Sequence, residues 1–234
     1  MASTKAWAVV AGVGPGTVAV LARNPSSYQD LVEDITKSGG HCIGISTDCS
    51  DSNSVKNAFS QIKAELSKTN SKLTAAIYNT GGKFVRKPFL KLTEDEFTAG
   101  YHSSTKGAFL FSQAALPLLL EATDAQHPPT LIFTGATAAI KSSPMLSTFA
   151  HVSYAKRSLS QSLAKEFGPK GVHVAHTIID GIIDIPRTKQ WKVSDFPDDK
   201  ISPEAIADAY WYLHTQPRTC WTQEIDVRPY VEKW

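Results

Sequence analysis

Short β-branched runs alternate with amphipathic stretches along the whole chain. The strand-like runs are AWAVVA (6–11), VAVLA (18–22), HCIGIST (41–47), LTAAIYN (73–79), TLIFTG (130–135), VHVAHTIID (172–180) and EIDVRP (224–229). Between them the apolar positions recur with the 3.6-residue period of helices. This predicts helices over 27–39, over 52–67 after a capping Asp51 or Ser52, and over 93–122, where Thr93 and Glu96 form a capping box. Two more follow, from Phe149 to Phe167 with GPKG closing it, and over 202–216 with Pro203 in the first turn. Strands that alternate with helices form a parallel sheet covered on both faces. The predicted fold class is therefore α/β, a doubly wound, Rossmann-like sheet, as one domain over residues 1–234. Residues 186–202, rich in Pro, Asp and Lys, interrupt this rhythm as a lid or a surface loop.

Composition narrows the function classes. A formal net charge of +2 is too small to point to nucleic acid. No apolar run is long enough for a membrane span, and the N-terminus lacks the layout of a signal peptide. Cys42, Cys49 and Cys220 are odd in number and lack metal or redox spacing, which fits free thiols in a cytoplasmic protein. His173 and His176 are three apart in a strand and face opposite ways, so no metal site is expected.

The stretch GVGPGTVAVLARNP (12–25) departs from the regular pattern. A strand, a glycine-rich turn and a second strand follow one another with no helix between them. Parallel neighbours need a crossover of roughly ten residues or more. Three readings are open: an antiparallel hairpin around Gly14–Pro15–Gly16, a run displaced from the sheet, or a sequence that lacks a segment here.

Several stretches together resemble the short-chain dehydrogenase/reductase superfamily across nearly the whole chain. AGVGPGT stands in place of the family's glycine turn, and Asp48 where an acidic residue meets the adenine. YNTGG (78–82) is similar to the family's NNAG segment, and EFGPKGVHVAHTIIDG to the end of its catalytic helix and the next strand. The resemblance implies a nicotinamide site made by Gly12, Gly16, Arg23, Asp48, Asn79 and Gly81. Arg23 stands where NADP-preferring members place a positive charge. NADP is the cofactor implied if the glycine turn works. With the helix missing, its N-terminal donors for the pyrophosphate are missing too, at a cost on the order of a hundredfold in binding or more, and no cofactor is expected. The missing helix should also leave an apolar sheet face bare.

The family's catalytic set is Asn, Ser, Tyr and Lys. Spacing places these four at Ser104, Ala136, Phe149 and Ser153. Phe149 cannot donate a proton, Ser153 carries no charge and Ala136 has no polar group. Tyr154 and Lys156 do not restore the dyad, because residues two apart on a helix do not share a face. They read as a partly buried residue and a solvated charge.

What remains for chemistry at the C-terminal ends of the strands is His102, Ser104, His151, Ser153, Tyr154 and Asp180. Thr137 and Asp184 are expected at the same edge, and two histidines and two carboxylates suit acid–base work near neutral pH; the histidines also fit plain helix surface, and Asp180 a turn. Three function classes follow. One is a cofactor-independent cyclase, isomerase or dehydratase acting on a small organic substrate. Another is an NADP(H)-dependent oxidoreductase with an atypical catalytic set. The third is a non-catalytic partner subunit. The superfamily implies a homodimer or homotetramer.

Overall fold

The structure, a computed structural model, describes residues 8–13, 17–81 and 84–233, with side chains from Val18 onward. The strands are β1 (Ala8–Val13), β2 (Thr17–Ala22), β3 (His41–Ser46), β4 (Lys72–Tyr78), β5 (Thr130–Ala136), β6 (His173–Ile179) and β7 (Glu224–Val227). The α-helices are α1 (Gln29–Lys37), α2 (Ser52–Lys68), α3 (Glu94–Tyr101), α4 (Gly107–Leu120), α5 (Ser147–Phe167) and α6 (Pro203–Thr215). The long helix expected over 93–122 is thus two helices joined through a π-turn, His102–Lys106.

All the strands join one sheet in the order β3-β2-β1-β4-β5-β6-β7. β2 runs parallel to β3, and β4, β5, β6 and β7 run parallel to one another. β1 alone is reversed, antiparallel to both β2 and β4. The reason is chain length. Only residues 14–16 separate β1 from β2, far too few for a crossover, so the chain folds straight back as a hairpin. The antiparallel pairing of β1 with β2 is that of the hairpin reading, while Gly14–Pro15–Gly16, around which it was expected to turn, lie outside the described residues. The expected parallel sheet is therefore parallel except at β1, an interior strand.

Local chemistry sets the helix ends. The Asp51 carboxylate accepts from the Ser54 N–H at 2.6 Å and opens α2. Thr93 and Glu96 form the expected reciprocal capping box at α3. Ser202 caps α6, with Pro203 at its first position. Gly171 closes the turn after α5 at φ +89°, a left-handed conformation that costs glycine little.

α2, α4 and α5 cover one face of the sheet over a core that includes Leu21, Tyr78, Phe111, Leu131 and Phe133. On the other face α1 sits over Val20 and Cys42, while α6 sits over Ile132 and Ala175 through Leu213. The bare face expected from the missing helix is not seen among the described side chains: Val20 and Ile132 are buried and Ile77 is half-buried. The loose segment after β6 is tied at its ends by a parallel bridge between Ile183 and Ile201. Among the described residues no helix is long and apolar enough to cross a membrane.

Candidate functional site

The ends of the parallel strands bring one set of groups to one sheet edge: Arg23 after β2, Asp48 after β3, Asn79, Thr80 and Gly81 after β4, Thr137 after β5 and Asp180 after β6. α5 starts at this edge and runs down behind it. Gly12 is not there. It pairs with Thr17, the first residue of β2, so the hairpin turn lies at the opposite edge. Gly16 falls outside the described residues. The reversal of β1 sets Gly12 apart from the groups it was expected to join.

Arg23 and Asp48 do lie together. Burial tends to raise the Asp48 pKa, but two hydrogen bonds from Ser50 (2.8 and 2.7 Å) and the charges of Arg23 and Lys106 outweigh it and lower it. Asn79 and Gly81 are exposed on the β4 end of the same edge. Between them Thr80 is buried, its hydroxyl 4.0 Å from the Cys49 sulfur. Burial pushes the Cys49 thiol up to about 11, so it is no nucleophile at neutral pH.

The four positions aligned with the catalytic set have these surroundings. Phe149 meets the Phe84 ring edge-on, with centroids 5.5 Å apart. Ser153 is buried and its hydroxyl donates back to the Phe149 carbonyl at 2.8 Å, inside the helix. Ala136 ends β5. Ser104 is buried in the π-turn. That turn frees the Ser103 carbonyl, which accepts the buried Tyr78 hydroxyl. Gly107 follows because a Cβ there would stand 2.3 Å from the Tyr78 oxygen and 3.0 Å from the Cys49 carbonyl.

α5 turns Lys156 inward and leaves Tyr154 41% exposed, the reverse of the expectation for this pair. Lys156 is buried, and its ammonium donates to the Thr80 carbonyl at 3.3 Å and sits 6.0 Å from the Tyr78 ring centre. Burial lowers its pKa to about 8. The signal was in the period: 149, 152, 153, 156 and 160 lie on one helix stripe, and the charge at 156 masked it.

Asp180 is buried at the end of β6. One carboxylate oxygen accepts the Thr137 hydroxyl, and the other lies 3.6 Å from the Arg228 guanidinium. Sequence spacing could not pair these three residues, because β5, β6 and β7 bring them together only in the folded sheet. Deeper on α5, Arg157 forks onto Glu224 at 2.7 Å through two nitrogens, and buried His176 bonds the same carboxylate at 3.0 Å. Burial lowers the His176 pKa to about 4, so this ring is neutral.

The two histidines expected at this edge, His102 and His151, are not in this group. His102 is solvent-exposed, its ring edge-on to Tyr101. His151 is half-buried on the outer side of α5, stacked on Phe97 with ring centres 4.2 Å apart. Among the described residues no group of His, Cys, Asp and Glu could hold a metal ion.

Comparison with known proteins adds a family to this geometry. The profile of the short chain dehydrogenase family matches residues 7–194. An uncharacterized oxidoreductase of Staphylococcus aureus is 29% identical over 153 residues, which cover 65% of this chain and 63% of that protein. One from Listeria monocytogenes is 23% identical over 240 residues, covering 98% and 93%. The chain thus matches 63% of the length of the Staphylococcus relative. A short-chain dehydrogenase from Rhodopseudomonas palustris superimposes with a TM-score of 0.70 at 29% identity, covering 92% of this chain and 85% of the other. An alcohol dehydrogenase from Thermococcus sibiricus, complexed with 5-hydroxy-NADP, gives 0.76 at 18% identity over 92% and 86%, and shares the fold.

Proposed function

The chain belongs to the short-chain dehydrogenase family, and we propose that within it this protein has left the tyrosine–lysine hydride chemistry and acts on a small organic molecule by proton transfer alone. The observation that carries this reading is the pair at 149 and 153. A phenylalanine set edge-on to Phe84 offers no proton, and the Ser153 hydroxyl donates to the helix backbone.

A nicotinamide dinucleotide needs a phosphate cradle at the C-terminal end of the central strand, made by a helix N-terminus and its N–H groups. Here β1 points the other way and Gly12 pairs with the first residue of β2, so the described residues do not fit the pyrophosphate. No step is therefore drawn through that cofactor. The groups left at the edge support general acid–base work. Thr137 is half-buried, and its hydroxyl donates to Asp180. A substrate proton taken up by the Thr137 oxygen is balanced by the Thr137 proton moving to Asp180; the reverse transfer returns it to another substrate atom. The Arg228 guanidinium lies 3.6 Å from the other oxygen of this carboxylate. An isomerisation or a dehydration is the reaction class this relay serves.

A second reading, an NADP(H)-dependent oxidoreductase with an atypical catalytic set, is favoured by Arg23 beside Asp48 at the ends of β2 and β3. The double variant Phe149→Tyr/Ser153→Lys separates the two. Assayed by loss of reduced-nicotinamide absorbance against a panel of aldehydes and ketones, it should show no NADPH-dependent reduction. Recovery of reduction would mean that a working phosphate site exists, and would overturn the reading.

A further inference from the structure

At the end of the sheet opposite the Thr137–Asp180 pair, the last turns of α5, the start of β6 and the segment before β7 enclose a cavity of about 370 Å³. The volume is within the range of small-molecule sites, roughly 300–1,000 Å³. Val174 lines it, and Asp180 closes the same strand, so the two places are about 20 Å apart. Its apolar wall is made by Ala164 on α5, by Val172 and Val174 at the start of β6, and by the Trp221 indole. A stack on the His173 ring, centres 5.0 Å apart and planes 8° from parallel, holds that indole in place.

The polar groups of the lining differ in what they have left to bond. Both nitrogens of His173 face carbonyl oxygens, that of Leu213 at 3.0 Å and that of Thr222 at 2.9 Å. Burial lowers its pKa, so the ring is neutral and engaged. The Gln223 amide nitrogen and the Trp221 indole nitrogen are buried donors with no acceptor. Buried polar groups are nearly always paired, so this wall favours a ligand that accepts. A glutamine amide turns about its last bond, which lets Gln223 present its N–H to the cavity. Gln161 and Lys165, one turn apart on α5, stand exposed at the mouth. Gln161 both donates and accepts and selects nothing. Among the described residues of the lining, Lys165 alone carries a charge at neutral pH.

We propose that this cavity binds a small carboxylic acid with an apolar body. The body lies against Trp221, Val172 and Val174, and the carboxylate accepts the Gln223 N–H under the charge of Lys165. That one charge repels a cation and favours an anion. The apolar wall gives a sugar or an inorganic anion nothing to replace its water. The site is separate from the Thr137–Asp180 relay, and its test does not depend on that reading.

The experiment is a calorimetric titration of the whole protein with phenylacetate and with 2-phenylethanol, the same ring with a neutral hydroxyl in place of the carboxylate. Lys165→Glu should weaken phenylacetate several-fold to tenfold and leave 2-phenylethanol unchanged, because an exposed charge acts only on the charged probe. Lys63→Glu, the same reversal on α2 and outside the lining, should change neither once salt of about 0.1 M screens distant charges. Gln223→Leu, which keeps the bulk and removes the donor, should weaken phenylacetate several-fold. Phenylacetate that fails to bind at millimolar concentration overturns the proposal. So does binding that Lys165→Glu and Gln223→Leu leave unchanged, or that Lys63→Glu weakens as much as Lys165→Glu. Equal weakening of both probes by Lys165→Glu also overturns it. A dimer in sedimentation that Lys165→Glu dissociates does the same, because a second copy of the chain then covers the cavity.

Discussion

Replacing Lys156 by methionine should make the protein more stable near pH 7, and the gain should shrink as the pH rises. Lys156 is 5% exposed, and its ammonium has one hydrogen-bond acceptor, the Thr80 carbonyl at 3.3 Å. Burial lowers its pKa from 10.5 to about 8. Between these values the unfolded chain holds the proton and the folded chain does not, so stability rises with pH across the window. Below the folded pKa the full penalty remains, about 3 kcal/mol for a shift of this size. Methionine has similar length and no charge. It removes that penalty but leaves the Thr80 carbonyl unpaired, at a cost of about 1 kcal/mol. The net expectation is about 2 kcal/mol of added stability near pH 7. By about pH 9.5 roughly half of the penalty has gone, and the gain should be close to zero. Urea unfolding of both proteins at the two pH values measures this, and other titrating groups cancel in the difference. A variant that is less stable by the same amount at both pH values would refute the reasoning, because the ammonium would then be solvated.

Gly107→Ala should destabilise by roughly 1–3 kcal/mol in the same assay, since its Cβ meets the Tyr78 hydroxyl in a packed core; an unchanged urea midpoint would show that the π-turn gives way freely. Glu224→Ala should cost on the order of 3–5 kcal/mol, because Arg157 loses its forked partner and His176 its acceptor. Burial tends to raise the Glu224 pKa, but the Arg157 bonds and charge and then His176 outweigh it and lower it. The stability that Glu224 contributes is therefore present above the ordinary carboxylate range and is lost as the pH falls through the lowered folded value, so Glu224→Gln should flatten the acid side of the stability profile.

The layered fold was legible because both periodicities are strong, and β6, buried at every position, is the continuous apolar run that a central parallel strand requires. The direction of β1 was legible only as alternatives. The turn length excludes a crossover, but composition cannot tell a hairpin from a displaced run. Counting back from the turn at Gly171 places the tyrosine and lysine positions at Phe149 and Ser153, and the structure puts both on the inward stripe of α5 beside Lys156. Thr137 and Asp180 were legible as residues of one edge, but Arg228 beside them was not, since it follows β7, far away in sequence. Lys156 was misread because charge was weighed above helical period. His151 was placed at the sheet edge, whereas α5 turns it to the outer side, against Phe97.

Reversal of β1 sets Gly12 apart from the edge where Arg23 and Asp48 stand, and NADPH is expected to find no phosphate site there. Calorimetric titration with NADPH, on protein whose intact mass agrees with 25.4 kDa, decides this. No binding at millimolar cofactor is expected. Binding in the micromolar range would overturn it and return the protein to nicotinamide chemistry.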